Sequence, residues 1–129
     1  MKIFTTELQV PASAIDTLQH VNNVAYLQWV QDVAEKHWMQ YTTEALREKY
    51  VWVVVNHFIE YKAPAFENDI LELQTWVENY SGVTSERHTK IIRKKDQRLL
   101  VQAKTLWCLL DAKKGKPLRI SNEMKALFP

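Results

Sequence analysis

Two glycines, one cysteine and four prolines are all that this 129-residue chain holds of the residues that usually punctuate or staple a fold. With only Gly82 and Gly115, neither the dinucleotide-binding fingerprint nor the phosphate loop of nucleotide hydrolases can form, since each needs several glycines to bring backbone amides against phosphate. Cys108 stands alone. It excludes an internal disulfide and suits a reducing compartment. The four histidines (His20, His37, His57, His88) are scattered, and none sits at ligand spacing from another or from Cys108, so no metal or other cofactor is expected. An excess of one charge is also lacking: 17 basic against 15 acidic residues leave a formal +2, too balanced for a protein whose main partner is a nucleic acid. No apolar run approaches the roughly 18 residues of a membrane span, and MKIFTTELQV has no long apolar stretch of the signal-peptide kind. A cytoplasmic protein without a membrane partner is expected. There is no repeat, low-complexity tract or linker, so residues 1–129 are expected to form a single domain.

What is present is a balanced globular composition, 47% hydrophobic and 25% charged, in a chain long enough to bury a substantial core. Ile3 to Val10 alternates weakly as a strand closed by Pro11. Asn22 or Asn23 then offers an N-cap for a helix running to about Tyr41. Tyr26, Leu27, Val30, Val33, Ala34, His37 and Trp38 fall on one face of that helix, which is expected to pack on a sheet. Asp32 falls on the polar face, spaced for an ion pair with Lys36, and His37 is expected to be a packing residue. A weaker helix spans Thr43 to Lys49. From Val51 the period becomes that of strands: VWVVVNHFIEY, then ILELQTWVEN with Leu71, Leu73, Thr75 and Val77 on one face, then Thr84 to Lys94, then Leu99 to Leu110. In the last of these, Leu99, Val101, Ala103, Thr105 and Trp107 are expected to point inward. A turn centred on Gly115 and a Ser121 cap close the chain. The order of one strand, a long helix and four consecutive strands predicts an α+β fold with an antiparallel sheet of about five strands.

The densest chemistry lies in Asp16-Thr-Leu-Gln-His20-Val-Asn22-Asn23-Val24-Ala-Tyr26, where a carboxylate, a histidine and two asparagines lead into the buried helix. A helix N-terminus has unpaired N–H groups and about half a positive charge. It can therefore polarise a carbonyl and hold the oxyanion formed on attack. Asp16, one short loop away, is placed to activate water or attack directly. Thioesters suit such a site, because their carbonyl is electrophilic and thiolate leaves without help from a metal. Taken alone, Asp16 reads as an Asx-turn residue, His20 as a structural ring, the asparagines as caps and Tyr26 as core or pocket wall.

The pattern Asp16-x-x-x-His20-Val-Asn-Asn-x-x-Tyr26 resembles the signature of hot-dog-fold acyl-CoA thioesterases of the 4-hydroxybenzoyl-CoA thioesterase type. It is also similar to plant acyl-ACP thioesterases, in which Gln precedes the His as Gln19 does here. Ile59-Glu-Tyr61-Lys-Ala-Pro64 with Asp69, and Trp107 to Pro117, extend the likeness over most of the chain. The resemblance implies a hot-dog fold, a long central helix wrapped by the sheet, joined edge to edge into a homodimer or homotetramer with active sites at subunit interfaces. It implies Asp16 as nucleophile or general base, with His20 beside it as the second candidate catalytic residue. Asn22, Asn23, Val24 and Tyr26 are then candidate substrate-binding residues, with the amides near Asn23 and Val24 as oxyanion donors. His57 is a candidate pocket residue from a strand facing the partner. The expected substrate is an acyl-CoA or acyl-carrier-protein thioester. Many bacterial members carry Gly where Gln19 stands, and the plant enzymes carry a catalytic Asn where this chain has Leu18. The basic cluster Arg87, Lys90, Arg93, Lys94, Lys95 and Arg98 reads as a solvated face. Two other readings remain open: a hot-dog hydratase or dehydratase, and a module that binds acyl-CoA without turnover.

Overall fold

A computed structural model describes residues 2–129. Strand β1 (Phe4–Gln9) leads through a 3-10 turn (Ala12–Ala14) and a loop into helix α1 (Asn23–Tyr41), followed by α2 (Glu44–Lys49). Four strands come next, β2 (Tyr50–Tyr61), β3 (Ile70–Ser81), β4 (Thr84–Arg93) and β5 (Arg98–Asp111), and then α3 (Asn122–Leu127). The strands form one antiparallel sheet in the order β1-β3-β4-β5-β2. The N-caps are Asn22, Thr43 and Ser121, each accepting a backbone N–H in the first turn of its helix.

Helix α1 buries Tyr26, Val30, Val33, Ala34 and His37, the stripe that a 3.6-residue period projects to one side. That stripe packs with Val10, Leu71, Leu73, Ile91, Leu100 and Val101 into the main core. A second cluster of Leu109, Ile120 and Met124, flanked by Trp38 and Trp52, closes the far end. No helix among the described residues is long and apolar enough to cross a membrane.

Three expectations fail for identifiable reasons. On β4 the residues alternate, so that Ser85, Arg87, Thr89, Ile91 and Arg93 all turn inward. Arg87 and Arg93 are thus buried at 7% and 6% exposure rather than part of a solvated face. On β5 the ladder slips between Ile91 and Ile92 of its neighbour. This bulge turns Leu100 inward in place of Leu99. On α1, Asp32 accepts from Gln28 Nε2 at 2.8 Å, one turn upstream, and makes no ion pair with Lys36 among the described residues. The amide stabilises Asp32 without ordering a long lysine side chain.

Candidate active site

The loop 16–22 is folded back on itself. An antiparallel bridge joins Ile15 to Val21, Asp16 N–H donates to His20 O at 3.1 Å, and Asn22 N–H donates to Ala14 O at 2.9 Å. The tip is held by Asp16, whose Oδ1 accepts from Leu18 N–H at 2.9 Å. Oδ2 of Asp16 has no hydrogen-bond partner among the described residues. The carboxylate is therefore clamped by one oxygen and free at the other. Gln19 sits in the left-handed region at φ 67°, a conformation that glycine adopts without penalty. This explains why a glycine is common at that position in the family the segment resembles.

At the start of α1 the two candidate amides separate. Asn22 Oδ1 accepts from Val24 N–H at 2.8 Å, so that donor is spent on the cap. Asn23 N–H has no acceptor among the described residues. The side chains of Asn22, Asn23 and Val24 are exposed. His20 is half-buried, its ring edge-on to Phe66 with centroids 6.3 Å apart.

Tyr26 lies in the core beneath this loop at 2% exposure, and its hydroxyl accepts from Ala65 N–H at 2.9 Å. Burial raises its pKa. Ala65 O in turn accepts from Val21 N–H at 2.9 Å, so one residue of the 62–69 loop ties together the helix and the catalytic-loop candidate. Tyr26→Phe leaves the Ala65 N–H buried without a partner. A loss of about 1–3 kcal/mol in denaturant unfolding is the expected result.

His57 stands apart from Asp16 within one chain. It lies mid-way along β2, with Nδ1 at 2.8 Å from Thr105 Oγ1 and Nε2 at 3.4 Å from Gln31 Nε2. Gln31 is eight residues past Asn23, about 12 Å along the helix axis. Burial lowers the pKa of His57, favouring a neutral ring. Thr105 and Gln31 were not legible as its partners, because both contacts join residues far apart in sequence.

A buried polar chain lies further along the sheet. Arg87 Nη1 donates to Thr75 Oγ1 at 3.1 Å and lies 2.8 Å from His37 Nδ1. Burial, and then the adjacent guanidinium, pushes the His37 pKa down to about 4. A ring whose pKa falls from 6.5 to about 4 on folding stays neutral in the native state while the unfolded chain takes up a proton. Stability is therefore fully present above about pH 6.5 and is lost as pH falls towards 4, at a slope of about 1 kcal/mol per pH unit. Melting temperatures across this range should show that slope, and His37→Gln, which keeps an acceptor but does not titrate, should flatten it. Among the described residues the one group of metal-ligand type is Glu78, Glu86 and His88. There His88 Nε2 lies 3.1 and 3.2 Å from the two carboxylates, and Asn79 and Lys104 already engage Glu86.

The profile of the thioesterase-like superfamily matches residues 10–128. The chain belongs to that superfamily. The long-chain acyl-CoA thioesterase FadM of Escherichia coli is 25% identical over 125 residues, covering 93% of this chain and 92% of its own. A 1,4-dihydroxy-2-naphthoyl-CoA thioesterase from Synechocystis superposes with TM-score 0.85 at 18% identity, covering 98% of this chain and 95% of that one. A mutant 4-hydroxybenzoyl-CoA thioesterase complexed with 4-hydroxybenzoyl-CoA superposes with TM-score 0.90 at 10% identity, over the whole of both chains. The hot-dog fold expected from the Asp16–Tyr26 segment is thus the fold observed, in a chain of the thioesterase-like superfamily.

Proposed function

We propose that this thioesterase hydrolyses its acyl-CoA substrate with Asp16 as the working carboxylate and the Asn23 N–H as the oxyanion donor. The observation that carries the reading is the pairing of a carboxylate oxygen without a partner and a helix-N-terminal amide without an acceptor, on the two sides of one short loop. The thioester carbonyl oxygen would take the Asn23 N–H, aided by the helix dipole. Asp16 Oδ2 would then attack the carbonyl carbon or take a proton from the attacking water. Thiolate departs; where Asp16 has attacked, water then opens the mixed anhydride, and the acid is released. His20 shapes the loop beside Asp16, while Asn22 fixes which amide stays free.

Two such chains complete the site. Strand β2 is a sheet edge of 12 residues, and Val51, Val53, Val55, Phe58 and Tyr61 on it are all at least 40% exposed. A long apolar edge left open invites another strand. Pairing two β2 edges in a homodimer would cover it and bring a second copy over the face that bears His57 and Tyr61. Tyr61 already reaches Asn23 O at 3.5 Å.

The test is thiol release from CoA esters of short, medium, long and aromatic acids, and from the same acyl groups on carrier protein, with enzyme-only blanks to correct for Cys108. Sedimentation equilibrium run alongside gives the assembly. Steady turnover by a species of twice the chain mass is the expected result. Absence of turnover on every ester would overturn the proposal.

A further inference from the structure

Arg87 has no carboxylate partner among the described residues, although it is 7% exposed. A guanidinium carries five N–H donors. Only Nη1 is engaged here, by His37 and Thr75, which leaves Nε and Nη2 without acceptors. Burying a cation in this way is costly unless an anion or a set of acceptors meets it. Trp107 Nε1, by contrast, is fully buried and unbonded, whereas the unengaged nitrogens of Arg87 keep some accessible surface. On the β4–β5 ladder Arg87 pairs with Thr105 and Ser85 with Trp107, so the two donors are diagonal neighbours on one face.

Both line a cleft of about 620 Å³ between α1 and the sheet, walled by Trp38, Trp52, Met124 and Phe128. That volume is typical of a small-molecule site. The cleft begins at Gln28, five residues or about 7.5 Å past Asn23 along α1. His37, which meets Arg87, is 14 residues past Asn23, about 21 Å. Asp32 and Glu35 also line the cleft, and neither approaches Arg87 within ion-pair distance. The apolar walls suit an alkyl chain, and the two unpaired donors at depth suit oxygen atoms.

We propose that this cleft receives the acyl chain, and that Arg87 and Trp107 bind an oxygen-bearing far end of it, a terminal carboxylate above all. The enzyme would then select long acyl-CoA thioesters oxidised at the distal carbon over plain alkyl ones of equal length. The proposal rests on the thioesterase reading for the identity of the ligand, but the cleft and its unpaired donors stand without it.

Binding is measured with non-hydrolysable CoA thioethers, hexadecyl-CoA and its analogue with a terminal carboxylate, followed through fluorescence of the tryptophans in the cleft. The wild-type protein should hold the carboxylate analogue at least about tenfold more tightly. Arg87→Met should abolish that preference while leaving hexadecyl-CoA bound as well or better. Equal affinity of the wild type for both thioethers would overturn the proposal, as would a preference untouched by Arg87→Met. Should Arg87→Met fail to fold, the methyl ester of the carboxylate analogue, tested on the wild type, decides the matter: it should lose the tenfold advantage, and retention of that advantage would refute the role of Arg87. Because the thioethers are not cleaved, a protein that prefers the carboxylate analogue yet turns over no ester would keep this site and lose the proposed function.

Discussion

Asp16→Asn is expected to lower kcat by at least about a hundredfold, some 2.7 kcal/mol of transition-state stabilisation, with KM and melting temperature nearly unchanged. Asparagine is the informative choice because Asp16 Oδ1 accepts from Leu18 N–H. The amide oxygen of Asn can keep that bond, so the loop should retain its shape. What disappears is the charge on the other oxygen, the one free to meet substrate or water. Asp16→Ala would remove the clamp as well and confuse the two effects. A loss in Asp16→Asn smaller than tenfold would take Asp16 out of the chemistry. A single turnover in oxygen-isotope-labelled water tests for the nucleophilic form of the mechanism. With Asp16 as base, water attacks the acyl carbon and the label enters the product. Label found in Asp16 itself requires a mixed anhydride opened by water at the aspartyl carbon, which only the nucleophilic form produces.

The second large effect is on stability. Arg93 Nη1 donates to Pro64 O at 3.1 Å and to Asp69 Oδ2 at 3.4 Å, while Nε meets Asp96 at 3.1 Å. Its side chain and that of Asp69 are 8% and 9% exposed. Arg93→Met leaves the Asp69 carboxylate buried with Phe66 N–H and the distant Lys95 ammonium as its remaining partners. The expected cost is about 3 kcal/mol, or roughly a 10 °C fall in Tm for a domain of this size. Adding Asp69→Asn to Arg93→Met should recover part of it, since the amide needs no counter-charge. A fall of less than about 3 °C would mean that the pair is compensated elsewhere. The consequence is not confined to folding. Arg93 holds Pro64, and the next residue, Ala65, bonds both Tyr26 and Val21, so Arg93→Met should also loosen the loop that bears Asp16.

The sequence by itself determined the elements and the segment proposed to carry the chemistry. The α1 stripe, a cap at Asn22 or Asn23, the change to a strand period near residue 51 and the turn at Gly115 are local patterns, set by residues within a few positions of one another. They emerge in the structure where the period and the caps put them. The Asp16–Tyr26 segment was legible for the same reason, since its loop and its helix start are contiguous in the chain.

Tertiary structure alone decided the rest. Which face of β4 is buried depends on its neighbours β3 and β5, and this alone makes Arg87 and Arg93 interior residues rather than surface charge. The bulge opposite Ile91 that turns Leu100 inward is a property of the ladder, not of either strand. Arg87 and Trp107 come to share a cleft only because β4 and β5 pair in one register, 20 residues apart in the chain. Charge and periodicity are read along the sequence, whereas burial and pairing are fixed by contacts between segments far apart in it.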